Sequence, residues 1–95
     1  MTPEGRNENY LRRRVKEERG QIRKLRWLGR RFAPDDFIWW PGPRAAFVEV
    51  KRPGGACTRG QLREHERLRA DGWAVYVVDN FEAIDAMIRK VKLGG

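Results

Sequence analysis

Ninety-five residues make one small domain, 1–95, with a modest core that pairing of two copies would reinforce. The chain carries a net charge of +8 and spreads it unevenly. Residues 1–31 hold eleven Lys/Arg against four Glu, a net of +7, and the remainder is nearly balanced at +1. One Cys (Cys57) and one His (His65) exclude both an internal disulfide framework and a metal site built from Cys and His. No apolar run reaches the roughly 18 residues of a membrane span. The first residues lack an apolar signal region, so a cytoplasmic location is expected. A basic half on a balanced body points to a polyanion as partner, most simply nucleic acid. Tyr10, Trp27 and Phe32 lie among the arginines and could stack on bases or sugars.

The ends, residues 1–4 and 93–95, are expected to be flexible. Residues 5–19 are rich in Arg, Glu and Lys without Pro or β-branched runs, which predicts a helix stopped at Gly20. Glu8, Leu11 and Val15 follow at i, i+3 and i+7, so Glu8 is expected at the N-terminal end of the inward face, or simply as an acid favoured in the first turn. Residues 21–28 read as a short strand, and 29–34 as a basic loop in which Arg30 and Arg31 are phosphate candidates. Asp35–Trp40 reads as a second strand. The Pro41-Gly42-Pro43 turn leads to a third, Arg44–Lys51.

The hairpin carries the sharpest expectation. A turn centred on 42–43 pairs position 40 with 44–45, and so position 35 with 49–50. Asp35 or Asp36 should then lie beside Glu49; the two point to opposite faces, and register alone does not choose between them. Glu49 and Lys51 share a face with Phe47, while Val48 and Val50 face the other way. Carboxylates side by side on a sheet repel, and a divalent cation with hard oxygen ligands, Mg2+ or Mn2+, removes that conflict. The alternative is an edge strand with an exposed Glu/Lys face.

Arg52–Cys57 is a Gly-rich loop. Thr58 and Gln61 match a capping box, with Gln61 at the third helical position. Leu62, His65 and Leu68/Arg69 mark the inward side of that helix, and His65 reads as a half-buried packing residue. Trp73–Val78 reads as a strand, central in the sheet. Asp79–Glu82 opens a last helix whose Phe81, Ile84, Ile88 and Val91 form a core stripe. The order α-β-β-β-α-β-α is an α/β domain with a mixed sheet flanked by helices.

Pro34-Asp35, then Glu49-Val50-Lys51, then Gln61 resemble the PD-(D/E)XK nuclease pattern. With Phe47-Val48, Pro53-Gly54-Gly55, His65, Leu68, Gly72 and Val75–Asp79, the chain more narrowly resembles the virus-type replication-repair nuclease (VRR-NUC) family in its minimal, stand-alone form, from about Glu8 to Ile88. The fold implied is the restriction-endonuclease-like core. The resemblance selects Asp35 over Asp36 as metal ligand. Asp36 occupies a position where the family often has a basic residue, and Phe32-Ala33 replaces a usual Gly before Pro34. The first-helix Glu of the family maps onto Glu8, with Glu4 as the other candidate.

The resemblance implies a Mg2+- or Mn2+-dependent, structure-specific endodeoxyribonuclease without a small-molecule cofactor or membrane partner. Stand-alone viral relatives act as homodimers on branched DNA such as four-way (Holliday) junctions, and fused relatives cut flaps. A phage-encoded member would work in the host cytoplasm. Asp35, Glu49, the Val50 carbonyl and Glu8 would hold the metal, with Lys51 and Gln61 completing the site. Arg12, Arg13, Lys24, Arg30, Arg31 and Arg52 would meet DNA. A flap or nicking nuclease, or a non-catalytic DNA-binding module with the same fold, are the alternatives.

Overall fold

The computed structural model describes residues 1–94. Helix α1 runs Pro3–Glu17, followed by β1 (Gln21–Lys24), β2 (Asp36–Trp40), β3 (Arg44–Val50), α2 (Arg59–Ala70), β4 (Val75–Val78) and α3 (Phe81–Lys92). The order is the one the sequence predicts, and the fold is a small α/β domain with a four-stranded mixed sheet between helices. The strands lie in the order β1-β2-β3-β4. The first three are antiparallel and β4 joins β3 in parallel, with α2 as the crossover. β4 is therefore an edge strand, not the central one. Its aromatic and β-branched composition reflects helices packed against it, while Val77 stays 41% exposed.

Helix α1 begins earlier than expected. The Thr2 hydroxyl accepts from Gly5 N–H and Pro3 occupies the first turn, where its missing N–H costs nothing. The helix also ends differently. Arg19, not Gly20, takes the left-handed conformation, at φ 67°. Gly20 is needed for space: a Cβ there would sit 2.6 Å from Cε2 of Trp40. β1 covers only half of the predicted 21–28 strand, and Gly95, at the end of the expected flexible tail, lies outside the described residues.

β3 is buried on both faces from Ala46 to Val50, as a central strand between two helical layers should be. Ala46, Val48 and Val50 meet Ile38 and Trp40 of β2, Leu11 and Val15 of α1, and Ile84, Met87, Ile88 and Val91 of α3. Truncating one of these, such as Leu11→Ala, should cost about 2–5 kcal/mol, a large share of a small domain's stability. Phe81 departs from the predicted core stripe. It is 40% exposed and stacks on Tyr10, ring centroids 3.9 Å apart, while Met87 takes the inward place. The opposite face of β3 carries Phe47 against Trp27, Phe37 and Trp73, then Glu49 beneath α2.

Candidate active site

The hairpin register is the one the turn dictates. Trp40 pairs with Arg44 and Asp36 with Val48, so Asp35, one residue outside the ladder, comes level with Glu49. Its position is fixed from several sides. Pro34 is buried and its carbonyl accepts from Trp27 Nε1 at 3.1 Å, while the Asp35 carbonyl accepts from Leu25 N–H at 2.8 Å. The Asp35 side chain turns to β3, where Oδ2 accepts from Val50 N–H at 3.0 Å.

Glu49 is only 2% exposed, which excludes the exposed-face alternative. Burial first, then the neighbouring Asp35 carboxyl, push its pKa up to about 8 against the pull of Lys51. Gln61 Nε2 donates to Glu49 Oε2 at 3.4 Å, and His65 Nε2 lies 3.4 Å from Glu49 Oε1. Lys51 Nζ donates to Gln61 Oε1 at 2.8 Å and stands 3.9 Å from Glu49. Gln61 Oε1 also accepts from Thr58 N–H at 2.9 Å, completing the capping box. Gln61 therefore caps α2 as the sequence predicts, and the same oxygen that serves the cap also meets Lys51.

His65 is fully buried rather than half-buried. Burial lowers its pKa, so the ring is neutral near pH 7, and the contact with Glu49 favours the tautomer with hydrogen on Nε2. That leaves Nδ1 as a bare buried acceptor without a partner among the described residues. Leu62, expected inward with it, is 48% exposed.

Glu8 does not sit on the inward stripe. Asn7, Leu11 and Val15, at i, i+4 and i+8, hold that face. Asn7 was not legible as a site-shaping residue, although its spacing from Leu11 marked it. Its Nδ2 donates to the Lys51 and Asp79 carbonyls at 2.9 and 2.7 Å, tying α1 to the ends of β3 and β4. Because the helix starts at Pro3, the first-turn acid is Glu4, and Glu8 lies one turn on. Glu8 meets Lys24 Nζ at 3.3 Å and Arg12 at 3.6 Å, and it faces Asp36. Asp36 is fully buried on this helical side of the sheet, with its pKa pushed up to about 8 by burial first and then by Glu8. Its oxygens have no hydrogen-bond partner while both acids are ionised; Glu8 becomes one only when either carries a proton. Glu4 and Glu8 line a cleft of about 180 Å3 together with Asp35. The first-helix acids therefore reach Asp35's neighbourhood, without joining Glu49's contacts.

The donor chemistry fits a hard divalent cation. Asp35 and Glu49 are paired carboxyls, and burial together with the Asp35 carboxyl raises Glu49's pKa, so two hard oxygen ligands stand side by side where a cation would relieve their conflict. Among the described residues no three His, Cys, Asp or Glu side chains converge as a cage, so backbone carbonyl and water would have to complete the shell.

Of the expected DNA contacts, Arg12 and Arg13 pair with Glu8 and Glu17 (3.6 and 3.9 Å), Lys24 with Glu8, and Arg30 with Glu64 at 3.8 Å. Arg52 is exposed on the loop after β3, and Arg31 lies over the Phe32 ring. Tyr10 and Trp27 are committed to packing, on Phe81 and Phe47, which leaves Phe32 as the exposed aromatic of the basic segment.

No family model matches the chain. A solved structure described as a VRR-NUC domain superposes with a TM-score of 0.87 at 40% identity, covering 94% of this chain and 97% of that one. "Putative nuclease p44" of Acyrthosiphon pisum secondary endosymbiont phage 1 is 41% identical over 73 residues, 77% of this chain and 78% of its own length. The chain belongs to the VRR-NUC family of nucleases. In this VRR-NUC domain Asp35 and Lys51, each one residue beyond a hairpin strand, meet Glu49 of β3 and Gln61 of α2. No helix among its described residues is long and apolar enough to cross a membrane.

Proposed function

We propose that this VRR-NUC nuclease is a metal-dependent, structure-specific endonuclease that hydrolyses phosphodiester bonds of branched DNA, four-way junctions first among them, and that it acts as a homodimer. The observation that supports this reading is the unbroken chain of contacts from Asp35 through Glu49 and Gln61 to Lys51. Asp35, Glu49 and the Val50 carbonyl would hold Mg2+ or Mn2+, with Glu8 or Glu4 near enough to Asp35 to take part through water. When bound, such an ion polarises the phosphate and acidifies a water.

The chain's own residues do the rest. Lys51 is held by Gln61, so its ammonium is fixed rather than free to swing. An ammonium held there orients an attacking water or meets negative charge growing on the phosphate oxygens. Gln61 also donates to Glu49 and so keeps that carboxylate turned toward Asp35. His65 fills the space behind Glu49 and excludes water from its inner side. Paired, symmetric cuts on a four-way junction need two such sites, hence two copies of the chain.

The deciding assay compares cleavage of four-way junction, flap, splayed-arm and linear DNA with Mg2+, with Mn2+ and with chelator, while the oligomeric state is measured in parallel. Junction cleavage that stops with chelator is expected. Asp35→Ala and Lys51→Ala should each abolish cutting while DNA binding is largely retained. Cutting at wild-type rates by either variant would overturn the assignment of these residues, and preferential cutting of flaps would replace the junction by a flap substrate.

A further inference from the structure

Helix α2 presents two neighbouring faces. Gln61 and His65, four residues apart, look at Glu49. Gly60 and Glu64, one position earlier and so about 100° around the helix, look instead at the loop between β1 and β2. Between that loop and the helix lies a cavity of about 220 Å3 lined by Arg30, Arg31, Phe32, Gly60, Arg63 and Arg67, with Glu64 at its wall. Gly60 is buried there, and a Cβ on it would come within 2.5 Å of Cδ2 of Phe32. The ring lies on bare helix backbone and remains 40% exposed.

The charges of this cavity are not balanced. Four guanidiniums face one carboxylate. Glu64 accepts from Arg67 Nη1 at 3.1 Å and stands 3.8 Å from Arg30. Arg31 lies over the Phe32 ring, and neither Arg31 nor Arg63 has an ion-pair or hydrogen-bond partner among the described residues. Much of α1 is different: its Arg12, Arg13 and Arg14 are answered by Glu8 and Glu17 of the same helix. Uncompensated guanidiniums beside an exposed ring are the chemistry that recognises a phosphodiester together with a base or sugar.

We propose that this cavity takes one nucleotide of the DNA strand adjoining the bond to be cut, with its phosphate on Arg31 and Arg63 and its base or sugar on Phe32. This rests on the nuclease reading above and adds the path of the strand. Both walls run directly into the candidate site: Phe32 precedes Asp35 by three residues, and Gly60 adjoins Gln61. A nucleotide seated here fixes which phosphate reaches Asp35 and Glu49. An unpaired nucleotide, whose base is free to lie on Phe32, gains more than a paired one.

The test is a binding titration in the Asp35→Ala background without divalent cation, using labelled blunt duplex and the same duplex with a single-stranded tail, at several KCl concentrations. Arg31→Glu/Arg63→Glu should weaken binding of the tailed DNA at least tenfold at low salt and reduce the slope of log affinity against log salt by about 1–2. Phe32→Ala should weaken the tailed DNA more than the blunt duplex. Arg63→Gln, a change at a side chain without partners, serves as the check should the double variant melt early. Unchanged affinity and salt slope in folded arginine variants overturn the proposal. A Phe32→Ala variant that binds both DNAs as its parent does overturns the nucleotide assignment. A wild-type chain that binds but never cuts would remove the endonuclease reading and leave these measurements standing. A wild-type chain that cuts while the variants bind like their parent removes the cavity alone.

Discussion

Gln61 joins a helix cap to the candidate site through one side chain. Its carboxamide oxygen accepts from Thr58 N–H and from Lys51 Nζ together, and its nitrogen donates to Glu49. Thr58 serves only the first of these, since its hydroxyl accepts from Gln61 N–H. Two substitutions should therefore separate the roles. Thr58→Ala should cost about 1 kcal/mol of stability through the lost cap and leave cleavage within a few-fold. Gln61→Ala should cost a similar amount and also lower kcat on the order of 100-fold, because Lys51 loses its anchor. Thermal melting and single-turnover cleavage on the same samples check both. Equal loss of activity in the two variants would mean that Gln61 acts only through the helix. From the sequence, Gln61 could be read either way. Asn7 could be read only as a place on a helix, since its two acceptors are carbonyls at the ends of strands 44 and 72 residues away.

At the level of elements, the junction of α1 and α3 rests on Asp85. It accepts from Tyr10 Oη at 2.9 Å and from Arg14 Nε at 3.0 Å. Burial opposes its ionisation, but the hydrogen bonds from Arg14 and Tyr10 outweigh burial and hold its pKa below the ordinary 3.8. A depressed acid stabilises the fold above its unfolded pKa, and that contribution disappears as pH falls through the folded value. Asp85→Asn should thus cost about 1 kcal/mol at pH 7, and the difference from wild type should start to shrink near pH 3.8 and go on shrinking as pH falls toward the lower folded value. Urea unfolding at pH 7 and pH 3 decides it. The elements themselves are legible because their signals are local: the Pro41-Gly42-Pro43 turn, the Thr58–Gln61 cap and the run of apolar residues in β3. The sequence misleads where long-range contacts decide the outcome. β4 has the composition of a central strand but ends the sheet, and Phe81 keeps the helical period but finds Tyr10 instead of the core. Gly20 marks the end of α1 for space beside Trp40 and not for its dihedral freedom.

For the whole molecule, two buried acids set the balance between charge and stability. Glu49 and Asp36 each have a pKa near 8 against ordinary values of 4.5 and 3.8, so the folded chain holds protons that the unfolded chain releases. The sign follows: without metal, stability falls as pH rises from about 4 toward 8. A divalent cation between Asp35 and Glu49 would reverse part of that loss, since ligands bind as carboxylates. The melting temperature in chelator should drop between pH 6 and pH 8, and added Mg2+ or Mn2+ should raise it more at pH 8 than at pH 6. A cation effect independent of pH would speak against the acid pair as its seat. On the outer surface, charge reversal at Arg12, Arg13 and Arg30 should weaken DNA binding at low salt more than it slows cleavage at saturating DNA. The effect per residue should be smaller than at Arg31 and Arg63, since all three already face carboxylates.

The oxygen that Gln61 shares between Thr58 and Lys51 also makes the order of the site observable from the backbone. Fraying of the first turn of α2 breaks the Thr58 N–H bond and frees the Lys51 ammonium in one event. Amide hydrogen exchange at Thr58 therefore gauges how long Lys51 stays in place. An ion or DNA strand that immobilises Lys51 should slow exchange at Thr58, while amides in the far turn of α3 keep their own rate.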